Sequence, residues 1–188
     1  MSQAPFRVAP LDKTHERSAF KSGVAPLDHY FHQQVSQDIR RRVTACFVAL
    51  DVAQSQRIAG FYTLASSSIL LADLPPETGK KLPRYPSVHA VRMGRLAVDE
   101  HFKGQGVGGA LLADALARAA RADIAAFALV VDATDELAAQ FYRHHGFIVL
   151  PDSPLTLFWW PLAGNCKPRR RSCAASSPSM GNCCLAFK

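Results

Sequence analysis

Between Val98 and Leu112 the chain reads Val-Asp-Glu-His-Phe-Lys-Gly-Gln-Gly-Val-Gly-Gly-Ala-Leu-Leu. Gly104, Gly106, Gly108 and Gly109 therefore separate a strand-like run from a helix-like one. Glycines this close together let consecutive backbone N–H groups converge with no Cβ in the way. They also stand at the positive end of the helix dipole, where anions bind. The guest expected in such a cradle is a phosphate or pyrophosphate.

The flanking patterns place this loop inside a mixed α and β chain. His89 to Val98 reads as a strand, and Gly106 to about Ala122 as a helix with Val107, Leu111, Leu112, Ala115, Leu116 and Ala119 on one stripe. Ala125 to Ala133 is a continuous apolar strand, and Asp135 to His144 a helix ended by Gly146. Phe147–Leu150 and Thr156–Leu162 supply two last strands. Upstream, Phe6–Pro10 reads as a strand, Thr14–Phe20 as a helix capped by Thr14, and Pro26–Arg42 as a longer helix. Thr44–Val52 and Arg57–Leu71 form a hairpin, and prolines make the stretch 74–87 irregular.

Composition narrows the setting. The chain has 188 residues, 48% hydrophobic and 20% charged, which excludes wholesale disorder. The longest charge-free apolar-leaning stretch, Ile58 to Ala72, falls short of the roughly 18 residues of a membrane span. The first residues carry charge and no apolar block, so no signal peptide is expected, and a cytoplasmic setting follows. Net charge is +7, but residues 164–188 hold five of the 22 basic residues and none of the 15 acidic ones. Residues 1–163 are thus only +2. That tail also holds Cys166, Cys173, Cys183 and Cys184, whereas the body has only Cys46, so no disulfide framework is expected. We expect one domain over 1–163 and a disordered tail over 164–188.

Two ligands compete for the glycine loop, beside the bland reading of a merely structural helix start. Gly104-x-Gly106-x-x-Gly109 fits the dinucleotide fingerprint literally, with Asp132 posing as the ribose acid. Yet the glycines begin well beyond Val98, and too little chain remains for a second nucleotide-binding half. The alternative is coenzyme A. Lys103-Gly-Gln-Gly106-Val-Gly108 resembles the Arg/Gln-x-x-Gly-x-Gly/Ala loop of the GNAT acetyltransferases, with Lys103 in place of Arg or Gln. Phe141-Tyr142 followed by Gly146-Phe147 resembles the same family's next helix. Phe20-Lys-Ser-Gly23, Gly60-Phe-Tyr-Thr-Leu64, Gly94-Arg-Leu-Ala-Val98 and Val131-Asp-Ala133 resemble one branch, the acetyltransferase toxins of toxin–antitoxin modules.

The resemblance implies an α+β, three-layer acyltransferase fold with a mixed central sheet and helices on both faces. It implies acetyl-CoA held by Lys103, Gly104, Gln105, Gly106, Val107, Gly108 and Gly109, with backbone contacts from Leu96, Ala97 and Val98. Tyr142 would be the general acid, since a phenol near pKa 10 is protonated at pH 7 and can protonate the departing thiolate. The implied acceptor is the α-amine of aminoacyl-tRNA, whose acetylation stops translation. Such an amine is easier to deprotonate than lysine by roughly 3.7 kcal/mol, so the lack of an obvious carboxylate base is compatible with it. The rival acceptors are a small amine or a protein N-terminus, and the rival class is a non-catalytic acyl-CoA or RNA binder. A ribbon-helix-helix antitoxin and a homodimer are also implied.

Arg40, Arg41 and Arg42, then Lys80, Lys81 and Arg84, then Arg92 and Arg95 could form a basic rim around a tRNA acceptor end. Arg92 and Arg95 alternate awkwardly along a mainly apolar strand, so at least one should face a cleft or a phosphate, the bland alternative being an ordinary ion pair. The seven histidines show no metal-ligand spacing; His144 and His145 are expected in solvent, and Trp159 and Trp160 in the core or an interface on the last strand.

Overall fold

The computed structural model describes residues 6–53 and 57–160. The expected boundary near 163 and the tail 164–188 lie outside the described residues. The strands are β1 (Phe6–Pro10), β2 (Ala45–Asp51), β3 (Ile58–Leu70), β4 (Ser87–Val98), β5 (Ala128–Asp132), β6 (Ile148–Leu150) and β7 (Ser153–Trp159). They form a seven-stranded sheet in the order β1-β2-β3-β4-β5-β7-β6. Among the described residues only β4 and β5 pair in parallel, and α4 (Val107–Arg121) makes the crossover between them. A parallel pair needs such a crossover, which is why glycine loop and helix stand where the sequence puts them. This mixed sheet lacks the doubly wound parallel order of dinucleotide folds.

Helices cover both faces, as expected. On one face α4 and α5 (Glu136–His144) bury Leu111, Leu112, Ala115 and Ala139 against Ala59, Tyr62, Met93, Leu129, Val131 and Leu157. On the other, α1 (Ala25–His29), a π-helical turn (Tyr30–Gln34) and α2 (Val35–Arg40) pack Tyr30, Phe31 and Val35 on Val48, Leu50, Phe61 and Ala97. Phe31 stacks on Phe61 with centroids 4.2 Å apart.

One irregularity decides which side chains share a face. Thr63 pairs with Arg95 and Leu64 with Met93, so Gly94 is an extra residue in β4. Such a bulge shifts side-chain alternation by one. Arg92 and Arg95, three apart, would otherwise point to opposite faces. The bulge brings both to the side away from α4, and this resolves their awkward alternation.

Several local expectations change. No helix forms over 14–20: Asp12 Oδ1 accepts from the Thr14 N–H and hydroxyl, and Glu16 from the Ser18 N–H. These local bonds compete with helix formation, and they make Thr14 a donor rather than a cap. The helix expected over 26–42 runs from Ala25 to Arg40 and widens at Tyr30–Gln34. Proline at the first position lets Pro76–Gly79 form a short helix, α3, inside the irregular stretch. The strand expected over 125–133 is confined to Ala128–Asp132, and the last strand begins earlier, at Ser153.

Candidate active site

Val98 ends β4, Glu100–Phe102 forms one three-ten turn, and Gly106 then caps α4. Gly104 and Gly106 have φ of +76° and +78°, and a Cβ on either would meet nothing within 4 Å. Both conditions matter: positive φ needs glycine, and the surrounding space is open for a ligand. The first-turn N–H groups of α4 lack intrahelical acceptors and point towards this space. Lys103 is exposed beside it, and Gln105 folds back so that Nε2 donates to the His101 carbonyl at 2.9 Å. This open cradle of amides with a nearby cation can receive a pyrophosphate such as that of acetyl-CoA.

Gly108 and Gly109 do something different. A Cβ on Gly108 would lie 3.5 Å from Phe141 Cζ, and one on Gly109 3.1 Å from His145 Nε2. Phe141 and His145 are one helical turn apart, so the bare backbone of α4 is the seat on which α5 rests. His145 is therefore turned inward, contrary to expectation, with Nδ1 2.8 Å from the Phe141 carbonyl, while His144 is exposed.

Between them stands Tyr142, 8% exposed, met edge-on by Phe141 at 5.3 Å and by a tilted Phe147 ring at 5.5 Å. Among the described residues nothing accepts a hydrogen bond from its hydroxyl, and burial pushes the phenol up to about 12. It keeps its proton at neutral pH and has it free to give. That is the state required of a general acid.

Beyond Met93 and Val131 the paired strands β4 and β5 part. Leu96, Ala97 and Val98 pair with Tyr62, Phe61 and Gly60 on one side only. Their other edge is open, so backbone groups there can pair with an extended ligand lying in the fork.

The three basic clusters stay separate; among the described residues no hydrogen bond or ring contact joins them. Arg40, Arg41 and Arg42 are exposed at the end of α2, with Arg42 at φ +58°. Lys80, Lys81 and Arg84 are exposed in the proline-rich stretch, and Lys81 lies 5.7 Å from the ring of Trp160, itself half-buried. Arg95 lies flat on Tyr30, 3.5 Å from its centroid, and the Tyr30 hydroxyl donates to Asp38 at 3.1 Å. Arg92 is paired with Asp132, and its Nε reaches Ser67 Oγ at 3.3 Å.

Two carboxylates matter here: Asp132, which the sequence offered only as a ribose-binding acid, and Asp99, which it did not single out. Asp99 is fully buried and accepts from the N–H groups of Lys21 and His101, the His101 ring and Arg57. Burial alone would raise its pKa, but these donors outweigh it and hold it below the usual carboxylate range. Asp99 thereby ties the lead-in of the glycine loop to residues 20–22 beneath α1. Its position before a three-ten turn is an N-cap signal that the sequence contained.

The known proteins to which this chain is similar agree with that geometry. Residues 43–149 match a family model described as an acetyltransferase (GNAT) domain. A tRNA-acetylating toxin of Mycobacterium tuberculosis (strain ATCC 25618 / H37Rv) is 34% identical over 156 residues, covering 82% of this chain and 89% of that protein. The structure of AtaT complexed with acetyl-methionyl-tRNAfMet superposes with a TM-score of 0.76 at 28% identity, over 83% of this chain and 94% of that one. That of AtaTR bound with acetyl-CoA gives 0.71 at 27% identity, over 84% and 94%. Fold, open cradle and family match agree: the chain belongs to the GNAT family of acetyl-CoA-dependent N-acetyltransferases.

Proposed function

We propose that this protein is a toxin that acetylates the α-amine of aminoacyl-tRNA and so halts translation. Its likeness to a tRNA-acetylating toxin, extending over 82% of the chain, carries the reading. The acyl donor supplies an activated thioester. Lys103 and the amides of residues 104–109 hold its pyrophosphate, and the open edge of Leu96–Val98 aligns its pantetheine arm. Tyr142 protonates the leaving thiolate. Acetylation removes the nucleophile on which peptide-bond formation depends.

The acceptor end approaches on the face away from α4, where Arg95 stands. Arg40, Arg41, Arg42, Lys80, Lys81 and Arg84 supply a basic rim for its phosphates, while Arg92 is engaged with Asp132. In this reading the toxin acts as a cytoplasmic homodimer, silenced by an antitoxin of the ribbon-helix-helix class. The test is incubation of purified protein with acetyl-CoA and charged tRNA, followed by mass analysis of the esterified amino acid. An N-acetylated ester is expected; an unmodified one overturns the proposal.

A further inference from the structure

Asp132 closes β5, one residue past the last β4–β5 pair, Met93 with Val131. It therefore stands in the fork where the strands separate, still held on its other side by pairing with Thr156 of β7. Val131 packs beneath α4 and α5, so alternation turns Asp132 to the opposite face. The Gly94 bulge sends Arg95 to that face too, and Arg92 already points there. Three charged side chains thus share the face of the sheet on the acceptor side of the fork, while Tyr142 comes from the cofactor-loop side.

The Asp132 carboxylate is oriented from two directions. Arg92 pairs with Oδ2, and the Thr156 hydroxyl donates to Oδ1 at 3.0 Å. Arg92 is in turn held by Ser67. The Asp132 side chain is nevertheless 52% exposed, so the oriented carboxylate faces the open mouth of the fork rather than a packed core. Among the described residues, the partners it has there are those that aim it. An ion pair needed only for stability would gain nothing from this location.

Resting on the reading above, we infer that Asp132 is the proton acceptor for the attacking amine. The neutral amine adds to the thioester carbonyl and acquires positive charge beside the carboxylate. The amide C–N bond forms as the C–S bond breaks. The amine proton passes to Asp132, and the departing sulfur takes the proton of Tyr142. Each group then exchanges with solvent to reset. Acid and base come from opposite faces of one sheet, so neither can quench the other. Arg92 is a positioning residue that aims Asp132.

The test compares wild type, Asp132→Asn and Asp132→Glu for acetylation of aminoacyl-tRNA, for acetyl-CoA affinity by calorimetry and for thermal stability. Asp132→Asn keeps the shape and the Thr156 contact but cannot take a proton. Its kcat should fall about 100-fold or more with acetyl-CoA affinity within about twofold of wild type, and Asp132→Glu should recover at least a tenth of the wild-type rate. Near-wild-type kcat in Asp132→Asn overturns the assignment. So does a loss matched by loss of cofactor affinity or of folding, or a Glu variant as slow as Asn. Absence of acetylation by wild type would instead overturn the toxin reading itself.

Discussion

His145 of α5 sits directly over Gly109 of α4, so close that a methyl group on Gly109 would stand 3.1 Å from the imidazole Nε2. The helix that carries Tyr142 is thereby referenced to the helix that begins at the cofactor loop. Gly109→Ala should push α5 outward and lower kcat by about 10- to 100-fold, with a smaller change in acetyl-CoA affinity. Trimming the other side, as Gly109→Ala with His145→Ala, should restore part of the rate. A double-mutant cycle on kcat checks this, and strict additivity would rule out the contact as the cause.

Tyr142→Phe should retain acetyl-CoA binding while kcat falls about 100-fold or more. Burial holds the phenol up to about 12, so wild-type kcat should remain flat to about pH 10 instead of declining on an ordinary tyrosine titration. The same shift bears on stability. An unfolded tyrosine ionises near about pH 10, so this contribution is complete below that pH and is lost as pH rises towards the folded value. Alkaline melting curves should show less loss for Tyr142→Phe than for wild type.

Asp99→Ala would leave the part-buried N–H groups of Lys21 and His101 and the Arg57 guanidinium without their acceptor. A loss of about 3 kcal/mol or more is expected by chemical denaturation. Because the folded pKa is depressed, the stability tied to Asp99 is present above the ordinary carboxylate pKa and disappears as pH falls through the folded one. Wild type and Asp99→Ala should therefore converge in acid.

Arg42 is a non-glycine residue in the left-handed region, just after α2. Arg42→Gly should relieve that strain and stabilise the fold by about 1 kcal/mol, seen as a higher Tm. If Arg42 contributes to the proposed basic rim, the same variant should bind tRNA less tightly, with a shallower salt dependence. Stability and affinity would then move in opposite directions.

What could be read from the sequence was whatever depends on near neighbours. The cradle at Gly104 and Gly106 follows from glycine spacing, and Tyr142 from its place in a short helix before Gly146. The failed helix at 14–20 is also a local matter: side chains of Asp12 and Glu16 claimed the amides a helix would have used. The pairing of Arg92 with Asp132, on the same face of the sheet as Arg95, could not be read this way. It depends on which strands pair, on where that pairing stops and on a single unpaired glycine. Likewise, nothing in the pattern around His145 says that Gly109 lies beneath it, because the two helices meet only after the sheet has formed.

The bulge at Gly94 makes the layout of this enzyme a question of parity. Were Gly94 paired in regular register instead of bulged, no charge, hydrogen-bonding side chain or bulk would be lost. Everything in β4 beyond Met93 would nevertheless be transposed. Leu96 and Val98 would exchange half-spaces with Arg95 and Ala97, so the guanidinium would be driven under α4 and apolar side chains would line the substrate's approach. The chemistry of the strand is thus protected by an odd number.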